Sequence, residues 1–305
     1  MTPAVFLRLK EHYQEVEGRV PVNRLVELVS KRITSEAWAG LLSAYSGGRN
    51  FLSLEELGLV IEHELRFPLG NSITDYYQCF CERTITFLLD PNCTRKIRIC
   101  DLIASGLMDE MMTLREGGPP LHDIKYKLSV ASLEDVLQRF RYLDQDMNGL
   151  LSKMELCAFD EYKCSSLFVE GVFSIERTYE ENEIDFNGFV YFLLAVNDKK
   201  LEQSQRWLFR VLDREDRGYL DRASVREHAV SMLEAHDLAL PKTESANADD
   251  VVDEFFDMAK PADPTRVTIE DCLRSGLGGT LLGIISEWKE FQLYERREDQ
   301  PPDDS

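Results

Sequence analysis

Apolar positions along this chain recur at helical spacing, break off at a short polar turn carrying one Leu or β-branched residue, and then resume. Leu133, Val136, Leu137 and Phe140 mark one helical face, and Phe189, Phe192, Leu193 and Val196 mark another. The polar turns between such faces centre on Val20, Leu52, Ile97, Leu151, Ile184, Leu220 and Val267. This alternation predicts an all-α fold of tandem helix-loop-helix pairs, in which the apolar turn residues of paired loops meet in short two-stranded β ribbons. Leu151 and Ile184 are 33 residues apart and Val20 and Leu52 are 32 apart, and both separations fit such a pair. A turn-rich stretch from Arg115 to Asp123, containing Gly117-Gly118-Pro119-Pro120, predicts a division into an N-terminal domain of degenerate repeats (1–118) and a C-terminal domain (124–297). Residues 298–305 read as an acidic tail, and Pro241 to Asp249 as a surface loop or short linker.

One polar turn stands out chemically. Asp144 to Glu155 reads D-Q-D-M-N-G-L-L-S-K-M-E and fills the positions of a twelve-residue EF-hand loop. Asp144, Asp146 and Asn148 offer side-chain oxygens at positions 1, 3 and 5. Leu150 offers its carbonyl, Ser152 can hold a water, and Glu155 supplies two oxygens from the first turn of the exit helix. Gly149 at position 6 permits the sharp bend, and Leu151 at position 8 faces the core. An all-oxygen, flexible donor set favours Ca2+ over the smaller Mg2+, so one calcium site is expected. The plainer alternative is a surface turn in which Ser152 and Glu155 form a capping box; that alternative leaves Asp144, Asp146, Asn148 and Gly149 unexplained.

A second loop, Asp213 to Ser224, keeps the shape and loses the ligands. Gly218 and Leu220 hold positions 6 and 8, but Arg217 puts a guanidinium where an oxygen belongs, and Ser224 lacks the closing carboxylate. The turns at Gly18 to Val20, Asn50 to Leu52, Asp90 to Asp101, Arg177 to Gly188 and Lys260 to Asp271 are fainter still, and all are read as structural hands.

Composition narrows the function classes. A hydrophobic content of 44% argues for a folded body. The formal charge of −20 disfavours nucleic acid and anionic membrane as partners, whose recognition needs clustered Lys and Arg, and favours cations or basic protein surfaces. Seven cysteines without a secretory leader predict a reducing, intracellular setting, and no apolar run reaches a membrane span. Cys79, Cys81, Cys93 and Cys100 lack paired zinc-knuckle spacing and are expected to be buried thiols. The glycine-rich Ser275 to Thr280 has no P-loop Lys and is read as a helix junction. His63, His122, His228 and His236 have no nucleophile motif beside them, so no catalytic site is predicted.

The order of these loops resembles a known family. L-D-Q-D-M-N-G-L-L-S-K-M-E-L, followed by V-L-D-R-E-D-R-G-Y-L, is similar to the B-double-prime regulatory subunits of protein phosphatase 2A. D-E-F-F-D-M-A-K-P-A-D-P at Asp253 to Pro264, Y-E-R-R-E at Tyr294 to Glu298 and F-L-L-D-P at Phe87 to Pro91 resemble the gamma, FASS-like branch, so the likeness covers essentially the whole chain. The resemblance implies a non-catalytic subunit that docks on the HEAT-repeat scaffold and catalytic subunits, selects protein substrates, and is tuned by calcium. It implies a cytoplasmic protein associated with the cytoskeleton, at a centrosome, basal body or microtubule array, and also in the nucleus. It further implies a scaffold-contacting arm in longer members ahead of the position of Met1. The competing expectation is a stand-alone calcium sensor that opens a Met-rich groove for target helices, for which Met108, Met111 and Met112 form the one Met cluster.

Overall fold

The protein's structure, a computed structural model, describes residues 22–64, 71–115, 127–159, 161–179, 182–237 and 247–298. Among these residues the polar turns come together in three pairs, and each pair is joined through the apolar residue at its turn. In the first, β1 (Phe51–Ser53) links helices α1 (Val22–Tyr45) and α2 (Leu54–Glu64). Its antiparallel partner β2 (Lys96–Arg98) links α3 (Asn71–Leu89) to α4 (Ile99–Ala104), and α5 (Leu107–Arg115) follows. The expected partnership of Leu52 with Val20 is not what forms: Leu52 pairs with Ile97. Val20 lies outside the described residues. Two full helices and a connection separate the paired turns here, and sequence separation alone does not reveal that spacing.

The second pair comprises α6 (Val130–Leu143), α7 (Lys153–Cys157), α8 (Ser166–Ile175) and α9 (Phe186–Asn197). Its turns meet as expected at Leu151 and Ile184, whose backbone amides and carbonyls exchange hydrogen bonds of 2.7 and 2.9 Å. In the third pair, α10 (Glu202–Leu212) leads to β3 (Leu220–Asp221) and α11 (Arg222–Asp237). The partner turn runs from α12 (Ala248–Ala259) through β4 (Arg266–Val267) to α13 (Ile269–Ser275), with Leu220 opposite Val267. Helices α14 (Gly278–Ile284) and α15 (Trp288–Glu298) complete the described chain. Leu52, Ile97, Leu151, Ile184, Leu220 and Val267 are all fully buried. An apolar residue at the ribbon stabilises the fold whether or not the loop around it holds an ion.

Local capping fixes where the helices start. Ser129, Ser165 and Asp185 accept the amides of Ser132, Phe168 and Gly188, so α6, α8 and α9 begin with an orphan donor satisfied. Ser152 with Glu155, and Thr268 with Asp271, form reciprocal capping boxes at the start of α7 and α13.

The core runs through both expected domains. Helix α3 packs on α9, and one continuous cluster of buried side chains extends from Trp38 to Phe291. At its centre Phe140 meets Phe186 edge-on at 5.5 Å, Phe189 stacks on Phe192, and Phe192 contacts Trp207. The aromatic run on α9 is thus core, apart from the half-buried Tyr191, which sits edge-on against Phe87. The segment expected to divide the domains falls largely on residues 116–126, outside the described set.

The glycine-rich stretch serves packing. Gly276 caps α13 in the left-handed conformation, and a Cβ at Gly279 would stand 2.4 Å from the Lys199 carbonyl oxygen. Cys81, Cys164 and Cys272 are buried thiols and Cys79 is half-buried. Cys93 and Cys100 depart from expectation and are exposed, because one lies in the turn before β2 and the other on the outer face of α4. No helix among the described residues is long and apolar enough to cross a membrane.

Candidate functional site

The loop between α6 and α7 gathers its carboxylates around one point. One oxygen each from Asp144, Asp146 and Glu155 lies within 4.8 Å of the others, the one such acidic group among the described residues. The backbone supplies this convergence. Met147 and Gly149 both take positive φ, 58° and 80°, which turns the chain sharply enough for the Asn148 and Gly149 amides to donate back to Asp144 at 3.1 and 3.0 Å. Asp146 accepts the Asn148 amide at 3.1 Å. Asn148 Oδ1 accepts the Leu150 amide at 2.7 Å, keeping a second lone pair for another partner.

Glu155 spans the loop. Its Oε2 accepts the Ser152 amide at 2.9 Å and the Ser152 hydroxyl at 2.7 Å, while Oε1 accepts the Gln145 amide at 2.9 Å on the opposite strand of the loop. Partial burial pushes its carboxyl pKa up, but these hydrogen bonds outweigh that effect and hold it below the usual glutamate range. The side chain therefore stays anionic at neutral pH. The capping box is formed, yet it uses only Ser152 and Glu155 and gives no reason for Asp144 and Asp146 to converge on the same point.

Sequence reasoning missed one member of this site. Glu183, at position 7 of the partner loop and only 8% exposed, receives the Asn148 side-chain amide on both carboxylate oxygens, at 3.3 and 3.2 Å. The Leu151–Ile184 bridge brings it there. The signal was its place beside Ile184, which any ribbon partner of Leu151 must carry into the neighbouring loop.

The loop from Asp213 to Ser224 is closed by its own cation. Arg217 pairs with Asp221 at 2.8 Å and Glu215 at 3.2 Å and also donates to the Ser224 hydroxyl. Asp213 instead accepts the Arg217 and Gly218 amides at 3.1 and 2.6 Å, preserving the turn of the intact loop. The guanidinium satisfies the carboxylates that a divalent ion would otherwise bridge.

The sequence model of the family described as RSA-1 C-terminal domain matches residues 144–299, just over half of the chain. The chain belongs to this family. Among its relatives, the B'' gamma regulatory subunit of protein phosphatase 2A from Danio rerio is 30% identical over 92% of this chain and 62% of its own length. The protein phosphatase 2A regulatory subunit rsa-1 of Caenorhabditis elegans is 29% identical over 73% of this chain and 55% of its own. The chain thus spans somewhat less than two thirds of these relatives. A chain from a PP2A PR70 holoenzyme structure superposes with a TM-score of 0.67 at 17% identity, covering 80% of this chain and 93% of that one. At that identity the likeness speaks for the fold.

Proposed function

We propose that this member of the RSA-1 C-terminal domain family is a non-catalytic regulatory subunit of protein phosphatase 2A, of the B'' gamma kind, carrying one calcium-binding hand. The observation that carries this reading is the likeness to B'' gamma subunits along 92% of the chain, rather than over its hands alone. In this role the chain docks on the scaffold and catalytic subunits and presents protein substrates, at a cytoskeletal or centrosomal location in the cytoplasm.

The residues of the intact loop fit calcium. Three carboxylates with mutually close oxygens, the Leu150 carbonyl, Asn148 and a water held by Ser152 make a hard, all-oxygen donor set without a lysine or arginine inside it. Bound calcium would supply the divalent charge that offsets repulsion among those carboxylates. Asp144 and Asp146 hold the entering half of the loop, Glu155 holds the exit helix, and Gly149 allows the two halves to face each other. Tyr142, Met147 and Met154 project from the rim of this hand and are 70%, 86% and 84% exposed. Ordering of the loop would therefore fix an apolar surface for a partner protein. The stand-alone sensor finds less support, because Met108 and Met111 are buried in the core instead of lining a groove.

The test is gel filtration of the purified chain with purified phosphatase 2A scaffold subunit, with calcium and with a chelator. Co-elution in calcium is expected. Separate elution of a chain that is folded by circular dichroism would sink the regulatory-subunit reading and leave a calcium-binding protein with another partner.

A further inference from the structure

A cleft of about 670 Å³ opens between the first pair of hands and the middle of the chain. Arg83 of α3, Arg95 of the turn before β2, Arg177 just after α8 and Arg210 of α10 all line it. Their concentration is unlike the rest of the described residues. Of the sixteen arginines whose side chains are described, eleven pair with a carboxylate. Arg83, Arg95, Arg141, Arg177 and Arg210 do not, and four of these five share this one cleft. In a chain of net charge −20, carboxylates are abundant, so arginines left without one are a local exception.

What these four side chains touch is neutral. Arg83 donates to the Asn187 side-chain carbonyl at 2.9 Å and lies over the Tyr191 ring at 5.4 Å. Arg177 lies over Tyr179, Arg210 donates to the Cys93 sulfur at 2.8 Å, and Arg95 is exposed. These contacts hold guanidiniums in place without cancelling their charge.

Four carboxylates, Glu55, Glu82, Asp90 and Glu176, also line the cleft, and two of them are held by neutral donors. Asp90 accepts the Thr94 and Arg95 amides at 2.8 and 2.6 Å and the Thr94 hydroxyl at 2.8 Å. Glu176 accepts the Trp207 indole N–H at 3.0 Å. Burial pushes Glu176 and Glu82 above the usual carboxylate range, with Arg83 opposing the shift at both and Arg210 also at Glu176.

We propose that this cleft is a docking site for a phosphorylated protein segment, with the phosphate held among Arg83, Arg95, Arg177 and Arg210. A phosphomonoester carries nearly two negative charges and three acceptor oxygens, and guanidiniums meet it with parallel N–H pairs. A single carboxylate brings half that charge and one acceptor oxygen fewer to the four guanidiniums. The volume suits one modified residue and its neighbours. The site goes beyond the regulatory-subunit reading, and the isolated chain suffices to test it, so a failure here is separable from a failure to bind the phosphatase scaffold.

The experiment is fluorescence anisotropy of the full chain with a short fluorescein-labelled peptide carrying one phosphoserine between aspartates, and with its unphosphorylated twin. The phosphopeptide is expected to bind at least about tenfold tighter than the twin. Arg177→Glu and Arg95→Glu, both at exposed positions, are expected to remove that preference, whereas Arg141→Glu, an equally unpaired arginine outside the cleft, leaves it intact. Equal affinity for the two peptides, no binding of either, or equal losses in Arg141→Glu and Arg177→Glu would overturn the proposal.

Discussion

Glu155 closes the capping box of α7 with one oxygen and reaches the Gln145 amide across the loop with the other, so helix start and loop closure depend on the same carboxylate. An amide in its place keeps an acceptor for Ser152 and loses the charge and the second strong oxygen. Glu155→Gln is therefore expected to leave the circular dichroism spectrum unchanged and to weaken calcium binding by more than about a hundredfold, as read by calorimetric titration. Equal affinity in wild type and variant would remove the site from this loop. Glu183 acts one step further out, by orienting Asn148 and adding negative charge behind it. Glu183→Gln is expected to cost roughly tenfold in the same titration, a size typical of groups that hold a ligand in place. The wild type should bind a single calcium ion, because Arg217 already occupies the carboxylates of the other loop; a stoichiometry of two would contradict that role.

The end of α10 is tied to α11 by His228, which is buried and whose Nε2 lies 3.0 Å from the Leu212 carbonyl. Burial lowers its pKa from 6.5 to about 4, overriding the pull of the carbonyl towards the charged form, with Arg214 adding to the depression. Between those values the unfolded chain binds the proton and the folded chain does not, so stability present above pH 6.5 is lost as pH falls towards 4. Urea titrations should show wild type losing up to about 3 kcal/mol more than His228→Gln over that range, and parallel pH profiles would refute it. At this scale the sequence was legible where local chemistry dictates the outcome. The convergence of Asp144, Asp146 and Glu155 was readable because a short loop turning at Gly149 brings its acidic positions together, and the Leu151–Ile184 ribbon because its hands are adjacent. The Leu52–Ile97 pairing and the arrival of Glu183 beside Asn148 follow from tertiary packing of separate helices, which periodicity does not encode. Exposure of Cys93 and Cys100 was hidden for the same reason, since composition does not say which face of a turn meets solvent.

The C-terminal helices are held to the middle of the molecule through the short turn between α9 and α10. Lys199 lies there and reaches the fully buried Glu287 at 3.1 Å and the partly exposed Glu290 at 3.3 Å. Around this pair, Ser165 donates its amide to Ser286, Trp288 donates to Lys163, and Gly279 abuts the Lys199 backbone, so three segments distant in sequence share one junction. Burial raises the Glu287 pKa to about 7, against the opposing pull of Lys199. A buried carboxylate that loses its partner is costly, and Lys199→Met is expected to destabilise the protein by about 3 kcal/mol at alkaline pH. The sign with pH is opposite to that of His228. A raised carboxyl pKa means that the folded state holds the proton where the unfolded state has released it, so stability falls as pH rises from about 4.5 through 7. Without Lys199 this rise in pKa is larger, so the deficit of the variant should shrink as pH falls and Glu287 becomes neutral. Adding Glu287→Gln to Lys199→Met removes the stranded charge and should recover much of the loss at alkaline pH. Urea unfolding of the single and double variants at several pH values decides the matter. A deficit independent of pH, or a double variant no better than the single one, would mean that Lys199 holds the junction by packing alone.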